Sequence, residues 1–417
     1  MTVTAYIALA VLAIMIYLII KQYETRLVLL GGGLILCLIS LQPMQGLHSF
    51  ATNMVNGSLI TAICSAQGFA YTASYTNCDR SLVYYLSRPI RNLGLFLIPL
   101  CAIITFFINI AIPSAVGVGA VVGSTLIPLM LRAGIKPAAA AAAVLSGTMG
   151  SLLSPGLSHN AYVSEMAGMG IMDLISYHSV YSFMIGGVAA VGVFLVCMFL
   201  GDHKGEKVDV NNTDDGFVPS PIRALVPLVP IVLMLVCTVW FPELKMGVTE
   251  AMLLGTIACL IVAHPDAQIF SKKFFQGMGD SYGEIMGIII SAGVLAAGLM
   301  ASGLIDALIK VMVASSDVAR WGGSFGPFLL SIIMGSGDAG AMAFNGTVTP
   351  HASEFGMSIE GLGSLAFLAG ACGRTASPIA GITILLAGLA RANPFDVVKR
   401  TIAPMFVATF LLAIFMV

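Results

Sequence analysis

Two charged side chains lie in otherwise apolar segments, where a lone charge needs a reason. Arg374 occurs in Gly373-Arg374-Thr375-Ala376-Ser377-Pro378 and Asp338 in Gly335-Ser336-Gly337-Asp338. An arginine at bilayer depth costs about 2.5–3.5 kcal/mol even on the lenient insertion scale. Its planar fork matches a carboxylate. In the functional reading, Arg374 holds a substrate carboxylate and Asp338 carries a coupling proton or cation. The plainer reading is a buried Arg374–Asp338 pair that only locks two elements together. A second polar group, Ser158-His159-Asn160, follows Ser154-Pro155. His159 suits a proton carrier or a donor to substrate, or a hydrogen-bonded structural histidine. Asn109 and Asn345 can coordinate a cation through their side-chain oxygens, or serve as hydrogen-bond glue between helices.

The elements that must position these residues repeat. Gly147, Gly150, Ser154 and Pro155 recur as Gly370, Gly373, Ser377 and Pro378, an offset of 223 (370 − 147). The same offset links Gly117 to Gly340, Gly123 to Gly346 and Asp173 to Asp396. A gapless match over this distance indicates duplication. Gly and Ser-Pro inside apolar segments indicate broken helices, and unpaired backbone at membrane depth is tolerated only where it is buried in protein or lines a cavity. Ser154-Pro155 and Ser377-Pro378 read as helix starts, with Ser as N-cap and Pro at the first helical position. Ser114, after Pro113, and Ser336 stand at the corresponding tips. Helix N-termini aimed at one point suit carboxylates, and opposing C-termini suit a cation.

Composition sets the class. The chain has 417 residues, of which 58% are hydrophobic and 9% charged, with mean hydropathy +0.98. Soluble domains carry about 25% charged residues, so this is an all-α polytopic membrane protein. The net charge of −1 favours no partner class. Eight cysteines without Cys-x-x-Cys spacing read as small membrane residues, neither disulfides nor metal ligands. The first apolar stretch, 3–20, is long enough to span and has no cleavage site.

One long polar run, 201–221, divides the chain into halves at 1–200 and 222–417. Each half reads as five crossings, a re-entrant hairpin (about 92–131 and 323–350) and a broken helix (about 137–169 and 359–390). Five is odd, so the halves are inverted. With the N-terminus outside, Lys21, Arg26, Arg88, Arg91, Arg132, Lys136, Lys272, Lys273, Lys399 and Arg400 fall inside, and of the basic residues in loops only Lys245 and Arg320 fall outside. Both termini are then periplasmic and the linker cytoplasmic. Asp306 and Lys310, one turn apart, are expected to pair.

Enzyme signatures are absent: no His-Glu-x-x-His, no Gly-x-x-x-x-Gly-Lys and no nucleophile elbow. No cofactor is implied, and no nucleic acid partner. Transport must run on gradients. The rivals are a sodium/proton antiporter with Asp338 as carrier, a passive anion channel, and a membrane scaffold, which leaves the duplicated breaks unexplained.

The stretch Gly373–Pro378, the downstream Asn393-Pro394-Phe395-Asp396-Val397-Val398-Lys399-Arg400-Thr401, and Gly335-Ser336-Gly337 closely resemble the DcuC family of anaerobic C4-dicarboxylate carriers. The resemblance weakens through Pro113 to Glu165 but runs over most of the chain. It implies re-entrant hairpins, inverted repeats, a homodimer in the lipid of the bacterial inner membrane, and an elevator motion against a fixed scaffold. It implies succinate, fumarate or malate as substrate. Arg374, Thr375 and Ser377 would line one half of the site, and Ser154, Ser158, His159 and Asn160 the other, with Ser114 and Ser336 at the tips. Sodium-coupled relatives carry Ser-Asn-Thr at the tips. Here the tips read Asn109-Ile110-Ala111-Ile112-Pro113-Ser114 and Gly335–Asp338, which weighs towards protons, with the coupling ion left as H+ or Na+. The first break, with His159, departs from the family pattern and leaves other acids open.

Overall fold

The computed structural model describes residues 3–21, 23–87, 94–205, 217–244, 246–305, 307 and 316–416. Most of the 201–221 run and the Asp306–Lys310 pair lie outside the described residues, as do Arg88, Arg91 and Lys245. The first part runs α1 (Val3–Ile20), α2 (Thr25–Ile39), α3 (Pro43–Met54), α4 (Gly57–Tyr75), α5 (Cys78–Ser87), α6 (Leu97–Ala111), α7 (Ala115–Arg132), α8 (Pro137–Gly147), α9 (Ser158–Ala167) and α10 (Ile171–Phe199). The second runs α11 (Pro221–Leu225), α12 (Val229–Trp240), α13 (Val248–Ala263), α14 (Ala267–Ser281), α15 (Gly287–Ala301), α16 (Ser316–Met334), α17 (Gly337–Thr347), α18 (Ile359–Thr375), α19 (Gly381–Ala390) and α20 (Pro394–Phe415). No strand occurs among the described residues. Among the described residues, six helical stretches are long and apolar enough to cross a membrane, and shorter apolar helices accompany them.

Element boundaries repeat with the sequence offset. α9 and α19 start 223 residues apart (381 − 158) and stop 223 residues apart (390 − 167). So do the starts of α2 and α13, the ends of α6 and α16, and the starts of α10 and α20. Packing is reciprocal: α2 lies on α15 while α4 lies on α13, and α8 lies on α19 while α9 lies on α18. Local chemistry sets the ends. Pro137 and Pro394 occupy first-turn positions of α8 and α20, where no N–H is needed. Gly168 and Arg391, again 223 apart, close α9 and α19 in the left-handed conformation, at φ 65° and 53°.

Both breaks occur, but neither Ser-Pro begins a helix. α8 stops at Gly147, a 3-10 turn covers Gly150–Leu153, and Ser154 closes that turn. α9 starts only at Ser158 and α19 only at Gly381, without side-chain caps. Proline disfavours helical backbone in the residue before it, and Ser154 is accordingly extended, with ψ 130°. The apolar run 57–88 is also not one helix: the chain turns at Asn77 (φ 54°) between α4 and α5. Conversely, α14 continues through a π-helical segment, Tyr282–Met286, into α15.

Glycine at the breaks permits backbone contact. A Cβ on Gly150 would collide with the carbonyl oxygen of Phe106 in α6, and one on Gly373 with that of Phe328 in α16. At the opposite end, buried Asp202 receives both Nε (2.8 Å) and Nη2 (2.9 Å) of Arg400, and its carbonyl accepts the N–H of Lys136 at 2.9 Å. This clamp ties the end of α10 to α20 and to the α7–α8 loop. Gly150→Ala and Gly373→Ala should each lower stability by about 1–3 kcal/mol or more through overpacking. Gly187→Ala, where a Cβ meets nothing within 4 Å, should be neutral. Melting temperatures of the purified variants in detergent check this.

Candidate functional site

The two tips are built alike. After α6 the chain extends at Ile112 and Pro113, and Ser114 caps α7 by accepting the Gly117 N–H at 3.1 Å. After α16, Gly335 takes φ 65° and Ser336 caps α17, accepting the Ala339 N–H at 3.1 Å. A glycine fits there because the backbone is left-handed and a Cβ would stand 2.9 Å from the Ile379 carbonyl oxygen. Each cap leaves the preceding N–H groups of its helix free to face a ligand.

Both tips and both breaks open onto one cavity of about 810 Å3. Ser114, Ala115 and Val116 line it from the first tip, Ser336, Gly337 and Asp338 from the second. Ser151, Ser158 and Arg374 line it from the breaks. The far wall carries Gln67, Tyr71, Asp79, Lys273 and Glu284.

Arg374 bridges the two breaks. Its Nη2 donates to the carbonyl of Thr148, the residue that caps the end of α8, at 2.7 Å and to the Thr148 hydroxyl at 3.0 Å. Its Nε is buried without a partner. Asp338 pairs instead with His159: Nε2 lies 2.7 Å from Oδ1, although the ring does not align for an in-line hydrogen bond. The imidazole is 3% exposed and stacks on Phe367, centroids 3.9 Å apart and planes 6° apart. The Arg374–Asp338 lock of the plainer reading is therefore not the pair that forms; no ion pair joins them among the described residues.

Several expected site residues do not reach the cavity. Thr375 Oγ1 donates to Ala371 O within its own helix, and Ser377 Oγ donates to Ile332 O at 2.7 Å. Both are wholly buried, as is Ser154. Asn160 donates through Nδ2 to the carbonyls of Leu152 and Ser154, 2.9 Å each, and its Oδ1 meets His178 Nε2 at 3.1 Å. With Nδ2 committed as donor, Oδ1 accepts, so the network assigns the proton to Nε2 of His178. Its Nδ1 then accepts from Ser182 Oγ at 3.0 Å. Asn109 donates to Ile112 O and accepts from Ser151 N, tying tip to break. Asn345 donates to Gly363 O and accepts from Thr349 Oγ1 at 2.6 Å. Both asparagines are the glue of the alternative reading, and neither turns an amide to the cavity.

Lys273 and Glu284 were not anticipated. With Asp280, whose Oδ2 accepts from Tyr71 OH at 2.9 Å, they are spaced by seven and four residues. That spacing places all three on one helix face, a signal the sequence contained. Glu284 sits in the π-helical segment, which is held by Arg26 Nη1 to Gly283 O (2.6 Å) and Tyr282 OH to Met54 O (2.9 Å).

Residues 59–417 match the model of the family described as "DcuC: C4-dicarboxylate anaerobic carrier". The chain belongs to the DcuC family. The DcuC proteins are carriers, not enzymes, and the chain is a multi-pass inner-membrane transporter. A transporter of Haemophilus influenzae is 40% identical over 278 residues, 64% of this chain and all of that one. The anaerobic C4-dicarboxylate transporter DcuC of Escherichia coli K12 is 25% identical over 425 residues, covering 93% of this chain and 91% of its own. Two solved structures share the DcuC-family fold seen here. Neisseria gonorrhoeae MtrF, described among antimetabolite efflux pumps, has TM-score 0.62 at 12% identity, covering 89% of this chain and 83% of its own. The Alcanivorax borkumensis YdaH transporter has TM-score 0.57 at 14% identity, covering 89% and 86%.

Within this DcuC-family site the break is held open by Asn160. Asn160→Ala removes the side-chain donor from the buried carbonyl of Leu152, at about 1–3 kcal/mol, and leaves that of Ser154 with the Leu157 N–H alone. The variant should melt clearly below wild type in detergent, whereas Ser158→Ala, which removes one hydroxyl from the cavity wall, should not.

Proposed function

We propose that this chain carries C4-dicarboxylates, succinate, fumarate or malate, across the bacterial inner membrane by ion-coupled symport, antiport or exchange. One observation carries the reading: two capped helix N-termini, from α7 and α17, open on the same cavity as an arginine with an unpartnered Nε. One carboxylate lies against Arg374 and the α17 N-terminus, where a planar fork and free N–H groups converge. The other lies at the α7 N-terminus, capped by Ser114. Ser158 and Ser336 supply hydroxyls between them. An acid with a carboxylate at each end engages both halves at once, and a monocarboxylate engages only one. The names of the curated DcuC relatives support the same substrate class.

In this reading the halves, 1–200 and 222–417, are inverted repeats joined by a cytoplasmic linker at 201–221. The reciprocal packing of α2 on α15 and α4 on α13 supports a two-fold relation. α6–α7 and α16–α17 are re-entrant hairpins whose tips stop at the cavity. Ten crossings then leave both termini in the periplasm and keep most lysines and arginines inside. The hairpins and broken helices move as one body past the remaining helices, an elevator within a homodimer. The coupling ion, H+ or Na+, is sensed at Asp338, which faces the cavity.

Counterflow of radiolabelled succinate in proteoliposomes tests the reading. Saturable exchange, competed by fumarate and not by a monocarboxylate, is expected. Arg374→Ala should weaken succinate by about 30-fold or more, the cost of about 2–5 kcal/mol for removing one partner of a buried charge pair. Thr148→Val, which keeps the carbonyl contact, should change affinity far less. No exchange by active vesicles removes the C4 acid, and unchanged affinity in Arg374→Ala removes the clamp.

A further inference from the structure

Asp338 stands where two cations compete for one carboxylate. It is the second residue of α17, and its side chain is 44% exposed to the cavity. His159, its partner at 2.7 Å, is locked in place by burial and by the stack on Phe367. Arg374 is a near neighbour: a Cβ on Gly337, adjacent to Asp338, would stand 3.3 Å from Arg374 Cβ. Arg374 has committed Nη2 to Thr148 and keeps Nε unpartnered. The aspartate, exposed on the cavity side, is therefore the member with room to change rotamer.

We propose that His159 is the proton site of transport and that Asp338 is a switched competitor of the substrate. With His159 protonated, two cations face one aspartate. Asp338 stays on the imidazolium, and the charge left on Arg374 takes a substrate carboxylate. When the proton leaves Nε2 and passes by way of the Asp338 carboxylate, which opens to the cavity, to water, His159 no longer balances Asp338. The aspartate then turns to Arg374 and displaces the substrate. Proton and dicarboxylate therefore load and unload together, one proton per substrate at this site. The inference rests on the preceding assignment of a substrate carboxylate to Arg374.

Other groups that face His159 do not supply the switch. α17 brings Asp338 and α18 brings Arg374. α10 brings His178, which reaches this region only through Asn160. α4 brings no charged side chain, only Cys64, Tyr71 and Tyr75 among titratable ones. Asp79, Lys273 and Glu284 line the cavity wall and remain in every variant below, so their titration is common to all.

Succinate binding to the purified protein is measured by calorimetry between about pH 6 and pH 9, the range in which histidine is the side chain that ordinarily changes charge, together with proton uptake in weak buffer. Wild type should bind at least tenfold more weakly at the alkaline end and take up a proton on binding there. Asp338→Asn should lose both the pH response and the proton uptake. His159→Gln should bind weakly throughout, and His159→Gln/Asp338→Asn should regain binding without pH dependence. A pH response retained in Asp338→Asn overturns the switch, and that variant decides even if His159→Gln does not fold. A double variant as weak as folded His159→Gln also overturns it. No succinate binding by wild type at any pH overturns the substrate reading, and this inference with it.

Discussion

Backbone at membrane depth has no water to turn to, and the two interrupted helices depend on how that constraint is met. An unsatisfied buried carbonyl or N–H costs about 1–3 kcal/mol, and each break exposes several. The first break combines short backbone turns with side-chain partners. Asn160 covers the carbonyls of Leu152 and Ser154, Asn109 covers the N–H of Ser151, and Arg374 covers the carbonyl of Thr148. The second break draws on Thr401, whose hydroxyl donates to Thr375 O. Polar residues that look like ligand groups on paper are spent here on keeping the chain open. What remains unspent is the buried Nε of Arg374, a residue that lines the cavity, and the first N–H groups of α7 and α17 at the two tips.

Recurring helix limits supply the frame, and the positions that differ between the recurrences supply the charges. Helix limits and left-handed closures recur 223 residues apart and the capped tips 222 apart (336 − 114), but the charges do not. Arg374 corresponds to Ser151, Asp338 to Ala115 and His159 to Ile382. A symmetric frame brings two equivalent tips together. An asymmetric set of charges makes one tip anionic and leaves the other with bare N–H groups. The row of Arg374, Asp338 and His159 joins residues from distant parts of the chain. It can exist only because α9 packs on α18 and α17.

The buried clamp at Asp202 belongs to the same logic at a different depth. Burying a charge is tolerable only with paired, well-formed hydrogen bonds, and Arg400 provides two to one carboxylate. It fixes the point where α10, α20 and the loop before α8 meet. The start of the first broken helix is therefore anchored, while its middle is held by asparagines.

Much of this was legible in the sequence. Apolar segments, breakers and a fixed offset follow from local composition, so the helical class, the breaks, the tips and the presence of Arg374 and Asp338 beside them could be read directly. Ser114 and Ser336 were legible as tip residues because capping is a local interaction. The direction of a side chain in an irregular segment is not local. It depends on the backbone angles of the break and on partners far along the chain. Only the tertiary structure therefore turned Thr375, Ser377, Ser154 and Asn160 inward, moved the starts of α9 and α19 beyond the prolines, and brought Lys273 and Glu284 to the cavity. It also paired Asp338 with His159 instead of Arg374. Local sequence determined where helices break. Packing between the halves decided which atoms each break leaves free.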